Sequence, residues 1–340
     1  MRSVVMLGDR RVDVIDVPDP QPQDHFVVVE VKASGLCGTE RWDYEGSRAR
    51  DESRGYNGGH EHAGVVCKVD KSRRVREGDR VAPYGVGSCG RCRYCLSGNW
   101  ILCDTYNSEP TFPGGHSQFV RVADHMCLPL ADDISFESAS LFCDLFGTAY
   151  HAIKRARITG FETVLITGQG PVGLSATMLC KFINAFVIAV EVNPARAKHA
   201  SSLGADVVLN PESEPDLLAR IQEAAGPTGV DVAIDCSANP VAQTLCLDAL
   251  RKQGRMAFVG VTKGGPAINT QHHFILKELE LLGSWYSRPE EFAELEAMTR
   301  RGLDVDALIT HRFGIEQAQT AFDTFFGGSA SKVILDPSQV

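Results

Sequence analysis

The chain has no apolar run long enough for a membrane-spanning helix, and its opening, MRSVVMLGDRRVDV, lacks the apolar core of a secretory signal. Nor is there an excess of positive charge. The 34 Lys and Arg residues stand against 43 Asp and Glu, a formal net charge of −9. That balance argues against nucleic acid or anionic membranes as partners, leaving a small molecule as the expected one. Internal repeats, low-complexity tracts and long disordered linkers are also missing. What remains is an ordinary globular composition, 44% hydrophobic and 23% charged, over 340 residues, enough for two domains. Eleven cysteines, five of them assigned to metal below, call for a compartment that keeps thiols reduced. A cytoplasmic protein is expected.

The most informative feature present is SCGRCRYCLSGNWILC. It places Cys89, Cys92, Cys95 and Cys103 in a C-x2-C-x2-C-x7-C cluster. Four thiolates this close in sequence can close a tetrahedral shell around Zn2+ and leave no position for substrate. Peptides with such sites gain about 10–16 kcal/mol of apparent folding energy from the metal. A disulfide pair is the alternative, and nothing in the sequence gives it a secretory context.

A second set of metal-ligand types is dispersed. GLCGTE places Cys37 in a glycine-flanked turn, GGHEHAGVV places His60 and Glu61 ahead of an apolar run, and LFCDLFGTAYHA carries Asp144. A thiolate, an imidazole and a carboxylate from separate segments can make an open catalytic zinc site with room for water or an alcohol.

TVLITGQGPVG supplies context for that site. Thr163 to Thr167 read as a short buried strand, and Gly168, Gly170 and Gly173 form G-x-G-x-x-G ahead of a helical pattern. In such a turn the first glycine bends the chain, the second lets a pyrophosphate approach and the third packs helix on strand. The phosphates sit on the helix's unpaired N–H groups. A second strand, Phe186 to Val192, carries Glu191, placed to accept the adenosine ribose hydroxyls and to favour NAD over NADP. Arg196 is the competing signal, because an arginine there can take a 2′-phosphate; its other reading is a solvated residue of a helix begun by Asn193 and Pro194.

These motifs, in this order, resemble the zinc-dependent medium-chain dehydrogenases over nearly the whole chain, and within them the polyol, sugar and threonine dehydrogenases. The resemblance rests on GLCGTE, GHEHAGVV, EGDRVAP, the four-cysteine lobe and GQGPVG. It implies that Cys37 and His60 ligate a catalytic zinc, that Glu61 is a direct or transient ligand, and that Asp144 falls where relatives carry cysteine or glutamate, with adjacent Cys143 as the alternative. Thr39 falls on the hydroxyl that bonds the substrate oxygen. Trp42 stands where many relatives have a relay histidine, so that relay is cut; Trp42 then walls the pocket or packs in the core. Pro171, Val172, Val259, Gly260 and Val261 are placed along the cofactor, with Ser284 and Trp285 near the nicotinamide.

The resemblance implies an α/β fold. A GroES-like, β-rich and partly barrel-like catalytic domain over residues 1–146 carries the zinc lobe at 89–103. A Rossmann domain over 147–285 holds a doubly wound, six-stranded parallel sheet, and a segment over 286–340 returns to the first domain. The expected strands of the sheet are TVLITG, FVIAVEV, DVVLN, VDVAIDCS, RMAFVGV and LELLGSW, and the tail reads as two helices and a strand. The expected protein is a homo-oligomer, dimer or tetramer, holding two Zn2+ per chain and NAD. It oxidises a secondary hydroxyl of a polyol, sugar or related metabolite to a ketone. The alternatives are a non-catalytic NAD-binding protein with a relic zinc site and a zinc-free NADPH reductase. Asp43, Glu45 and Tyr56 are candidate partners for substrate hydroxyls or members of a solvated loop, and the His272–His273 pair reads as a solvated turn.

Overall fold

A computed structural model describes residues 1–46, 58–106, 113–328 and 330–339; Tyr56 lies outside them. The chain forms two compact units, one of residues 1–147 with 287–340 and one of residues 148–286.

In the first unit, FVVVEVKASG makes the long strand Phe26–Gly35, buried along most of both faces and therefore central. It pairs antiparallel with Glu61–Lys68, Phe119–Ala123 and Lys332–Asp336. Arg80–Pro83 and Cys127–Pro129 extend the sheet on one side, and Ile309–Gly314 lies parallel to Lys332–Asp336 on the other. A separate hairpin joins Arg2–Gly8 to Arg11–Asp16. Helix Ala318–Phe326 buries Ala318, Ala321, Phe322 and Phe325, a stripe at helical spacing, in a cluster with Val4, Met6, Val333 and Leu335. The register matters most for the site. Gly35 lies opposite Glu61, so the antiparallel pair brings the turn carrying Cys37 beside the residues that open Glu61–Lys68.

The second unit is a six-stranded parallel sheet in the order Val207–Leu209, Phe186–Val190, Thr163–Thr167, Val230–Asp235, Leu250–Phe258, Glu280–Gly283. Its central strands are apolar runs buried on both faces, as helix-covered parallel strands must be. Helices start where the chain signals them. Pro171, Pro194 and Pro240 each occupy a first helical position, and Asn193 and Asn239 cap the latter two through their side-chain oxygens. Strand order reverses beside Thr163–Thr167, and the glycine turn lies at that strand's C-terminal end, where doubly wound sheets bind ligands.

In the first unit the sequence runs VDVIDV, FVVVEVKAS, AGVVCKV, DRVAPYGV and SQFVRV read as strands, and the structure adds Arg2–Gly8, Cys127–Pro129 and Ile309–Gly314 to them. The solvated-turn reading of His272–His273 needs correction. Thr270–Leu276 forms a π-helical segment in which His272 is exposed and His273 is buried. His273 Nδ1 accepts from Asn269 N at 3.2 Å, so its Nε2 carries the proton toward Asp248 Oδ1 at 3.0 Å. Both nitrogens are thus engaged, and the His273–Asp248 bond ties helix Pro240–Ala249 to the π-helical segment.

Candidate functional site

The four-cysteine lobe is built on one short helix and one 3-10 turn, Arg93–Leu96 and Trp100–Leu102. Sulfur–sulfur separations are 3.5 Å for Cys92–Cys95, 3.9 Å for Cys89–Cys95 and 4.0 Å for Cys92–Cys103. Tetrahedral Zn–S bonds of about 2.3 Å require S···S near 3.8 Å, so the donor set fits the ion. Backbone amides donate to the sulfurs, Cys92 N to Cys89 Sγ at 3.4 Å and Cys89 N to Cys103 Sγ at 3.3 Å. Backbone N–H groups of Arg91 and Cys92 pull the Cys89 thiol down to about 6, whereas burial and the neighbouring thiols push Cys95 up to about 12. Such opposed shifts mark thiols crowded around one point.

Within the same unit, donor atoms of Cys37, His60, Glu61 and Asp144 all lie within 4.8 Å of one another. His60 Nε2 is 2.9 Å from Asp144 Oδ2, which is 3.5 Å from Cys37 Sγ. Asp144 therefore reaches the cluster despite its short arm, and Cys143, also buried, is not part of it. Burial and the Asp144 charge raise the Cys37 thiol. His60, which burial alone would lower, is held well above its usual value by Cys37 and Asp144. Glu61 is pushed up to about 7 by burial, against the opposing pull of Lys332. A partly buried cluster this rich in anionic donors suits a dication, which would reverse these shifts.

Sequence reasoning gave His116 a structural or pocket-lining role and missed the rest of the support around this cluster. Glu40, 1% exposed, accepts from Cys37 N (3.0 Å) through one carboxylate oxygen and from Gly59 N (2.8 Å) through the other. It thereby fastens both ligand-bearing turns. His116 Nε2 lies 3.0 Å from Glu40, and its Nδ1 lies 2.8 Å from Ser34 Oγ. Burial would raise the Glu40 carboxyl, but the charge and hydrogen bond of His116 hold it down at about 2. The only signal in the sequence was the acid that ends GLCGTE. Lys332, also missed, is buried against Glu61.

Thr39 is exposed and donates to Cys37 Sγ at 3.4 Å. Trp42 is 39% exposed, which removes the core-packing reading. Asp43 is buried, and Glu45 pairs with Arg41 and Arg10.

In the second unit the glycine turn separates three requirements. Gly168 has φ +81°, and a Cβ there would lie 2.7 Å from the Ser237 backbone; one at Gly173 would lie 1.8 Å from Gly168 O. Gly170 is different. A Cβ there would meet nothing within 4 Å, so its absence leaves the N-terminus of helix Pro171–Phe182 open to a ligand. Glu191 is buried and accepts from Gln169 N at 2.6 Å and Asn193 N at 2.8 Å, one bond per oxygen. A second lone pair on each oxygen stays available for a ribose hydroxyl. Val259 N and Gly260 N both donate to Asp235 O, and Gly260 lies against the Ala238 backbone. Val261 and Trp285 are exposed, Arg196 and Val172 are half-buried, and Ser284 Oγ is buried with no protein partner, as a ligand-facing hydroxyl would be. These features fit a dinucleotide.

The alcohol dehydrogenase GroES-like domain family matches residues 23–132, and the zinc-binding dehydrogenase family matches residues 171–301. The chain is 31% identical over 332 residues to an L-threonine 3-dehydrogenase of Chromobacterium violaceum, covering 96% of each. It is 30% identical over 353 residues to an uncharacterized zinc-type alcohol dehydrogenase-like protein of Escherichia coli, covering 99% of this chain and 98% of that one. Among solved structures, an alcohol dehydrogenase from Thermus sp. superposes with a TM-score of 0.91 at 25% identity, covering 99% of both chains.

Proposed function

The chain belongs to the zinc-binding alcohol dehydrogenase family and is an oxidoreductase, and on that premise we propose that it uses NAD and zinc to oxidise a secondary hydroxyl to a ketone. The substrate class is a polyol, sugar or related hydroxylated metabolite, including hydroxy amino acids such as those named by the threonine dehydrogenase relatives. The observation that carries this reading is the convergence of Cys37, His60 and Asp144 at hydrogen-bonding distances in a partly buried site.

When bound, zinc supplies a Lewis acid for the alcohol oxygen and NAD a hydride acceptor. Cys37, His60 and Asp144 hold the metal, with Glu61 beside them and Cys89, Cys92, Cys95 and Cys103 holding a second, structural ion. Thr39 Oγ1 accepts the hydrogen bond of the substrate hydroxyl and, being exposed, passes its proton outward. With Trp42 in the relay position, no histidine takes the proton on from Thr39, whose exposed hydroxyl hands it to solvent. Glu40 keeps the Cys37 and His60 turns in place. Gly168, Gly170 and Gly173 seat the pyrophosphate, and Glu191 orients the ribose. The protein is a cytoplasmic homo-oligomer, dimer or tetramer, a state that light scattering on the eluted protein measures.

NADH formation over polyols, sugars, amino alcohols and simple alcohols, with metal content measured on the same sample, tests the proposal. Turnover lost on chelation, with about two zincs per chain, is the expected result. NADH binding without turnover on any alcohol would favour the non-catalytic alternative. Glu191→Ala should lower the NAD/NADP preference, and an unchanged ratio would remove Glu191 from the argument.

A further inference from the structure

Lys332 is one of the largest fully buried side chains in the protein, with 1% of its side chain exposed. Lysine is almost never buried this deeply without a partner. Its Nζ donates to Leu36 O at 2.7 Å and forms an ion pair with Glu61 Oε2, and it lies 6.0 Å from the centre of the Phe325 ring. The sheet register creates the arrangement. Gly35 is paired with Glu61 on one side and with Ile334 on the other, and Leu36 N donates to Val333 O. A Cβ on residue 35 would fall 2.7 Å from Glu61 Oε2 and 3.0 Å from Lys332 Cε. Glycine at that position is thus the space in which the ion pair sits.

Glu61 belongs to the four-residue donor cluster, yet its Oε2 faces Lys332 while Cys37, His60 and Asp144 approach one another. A buried carboxylate seeks a cation, and the Glu61 carboxylate is paired with the Lys332 ammonium, leaving a metal held by the other three residues as the competitor. We propose that Lys332 is a positioning residue that holds Glu61 out of the metal shell. The protein ligands are then Cys37, His60 and Asp144, and the fourth position stays open to substrate. This inference rests on the metal-centre reading above.

The test uses the intact protein with Co2+ exchanged into the open site, its spectrum taken as a difference against Cys37→Ser to subtract the four-cysteine lobe. Wild type should show a cobalt–thiolate band and a d–d band that shifts when imidazole enters the open position. Lys332→Met should retain cobalt, show an altered d–d band and lose the imidazole response, with turnover reduced by about 10–100-fold. Lys332→Arg, which keeps the cation, should preserve the wild-type band and response. Lys332→Met with the wild-type band and response overturns the proposal. Should Lys332→Met not fold, Glu61→Gln decides: an unchanged spectrum supports the proposal, and a changed one shows that Glu61 already ligates and overturns it. A wild-type protein with no cobalt–thiolate difference band would instead bring down the metal centre itself, and this inference with it.

Discussion

Cys89, Cys92, Cys95 and Cys103 come from one short stretch of chain, whereas Cys37, His60 and Asp144 come from three segments spread over 107 positions. The first cluster organises itself. Its amides donate to its own sulfurs, and its ligands are four copies of one residue type. The second is organised from outside, by Glu40 fastening two turns and by Lys332 bracing Glu61. A closed donor set can be written locally, because an ion bound there would do the folding. An open site lacks one ligand's worth of that energy, and the surrounding sheet and hydrogen bonds must hold its geometry.

If that contrast is right, the two clusters should fail differently. Cys37→Ser should reduce turnover to background and leave Tm within about 2 °C, while Cys103→Ser should lower Tm by roughly 10 °C. Parallel calorimetry and NADH assays check both, and equal Tm losses would erase the distinction. Glu40→Gln probes the external support. Losing the charge on buried hydrogen bonds should cost about 1.5–3 kcal/mol at neutral pH, read by urea denaturation. Because the folded carboxyl is depressed from 4.5 to about 2, this contribution is fully present above 4.5 and lost as pH falls toward 2. The gap between wild type and Glu40→Gln should therefore close on acidification; a constant gap would refute the charged role. The smallest effect on stability extends the comparison to the glycine turn, another local motif. Gly170→Ala should change stability by no more than about 0.5 kcal/mol, since a Cβ there meets nothing. It should nevertheless weaken NADH binding in a fluorescence titration, and unchanged binding would show that the open helix end is not the phosphate seat.

Locality also explains what could be read from the sequence. All six strands of the parallel sheet were visible in the sequence, most plainly the central Phe186–Val190, Thr163–Thr167 and Val230–Asp235, whose apolar runs are covered on both faces. Ile309–Gly314 escaped because its exposed Thr310, His311 and Arg312 read as loop, and only the partner strand Lys332–Asp336 makes it a strand. The metal-ligand types stood out by chemistry, and their neighbours did not. His116 and Lys332 meet their partners through sheet register and loop closure, which no spacing along the chain encodes, whereas Glu40 reaches Cys37 N only three residues away and needs loop closure to meet Gly59 N.

The placement of Lys332–Asp336 beside Phe26–Gly35 also has a bearing on biosynthesis. Residues 148–286 complete a sheet from contiguous chain, so that unit can fold as soon as it leaves the ribosome. The earlier-synthesised unit must wait, because two of its seven sheet strands and the ammonium that braces Glu61 lie beyond residue 308. The order of synthesis is therefore reversed in the order of folding. A nascent chain of some 300 residues would carry a finished parallel-sheet unit and a first unit still short of two strands, whose exposed sheet edge is where a chaperone would have to act.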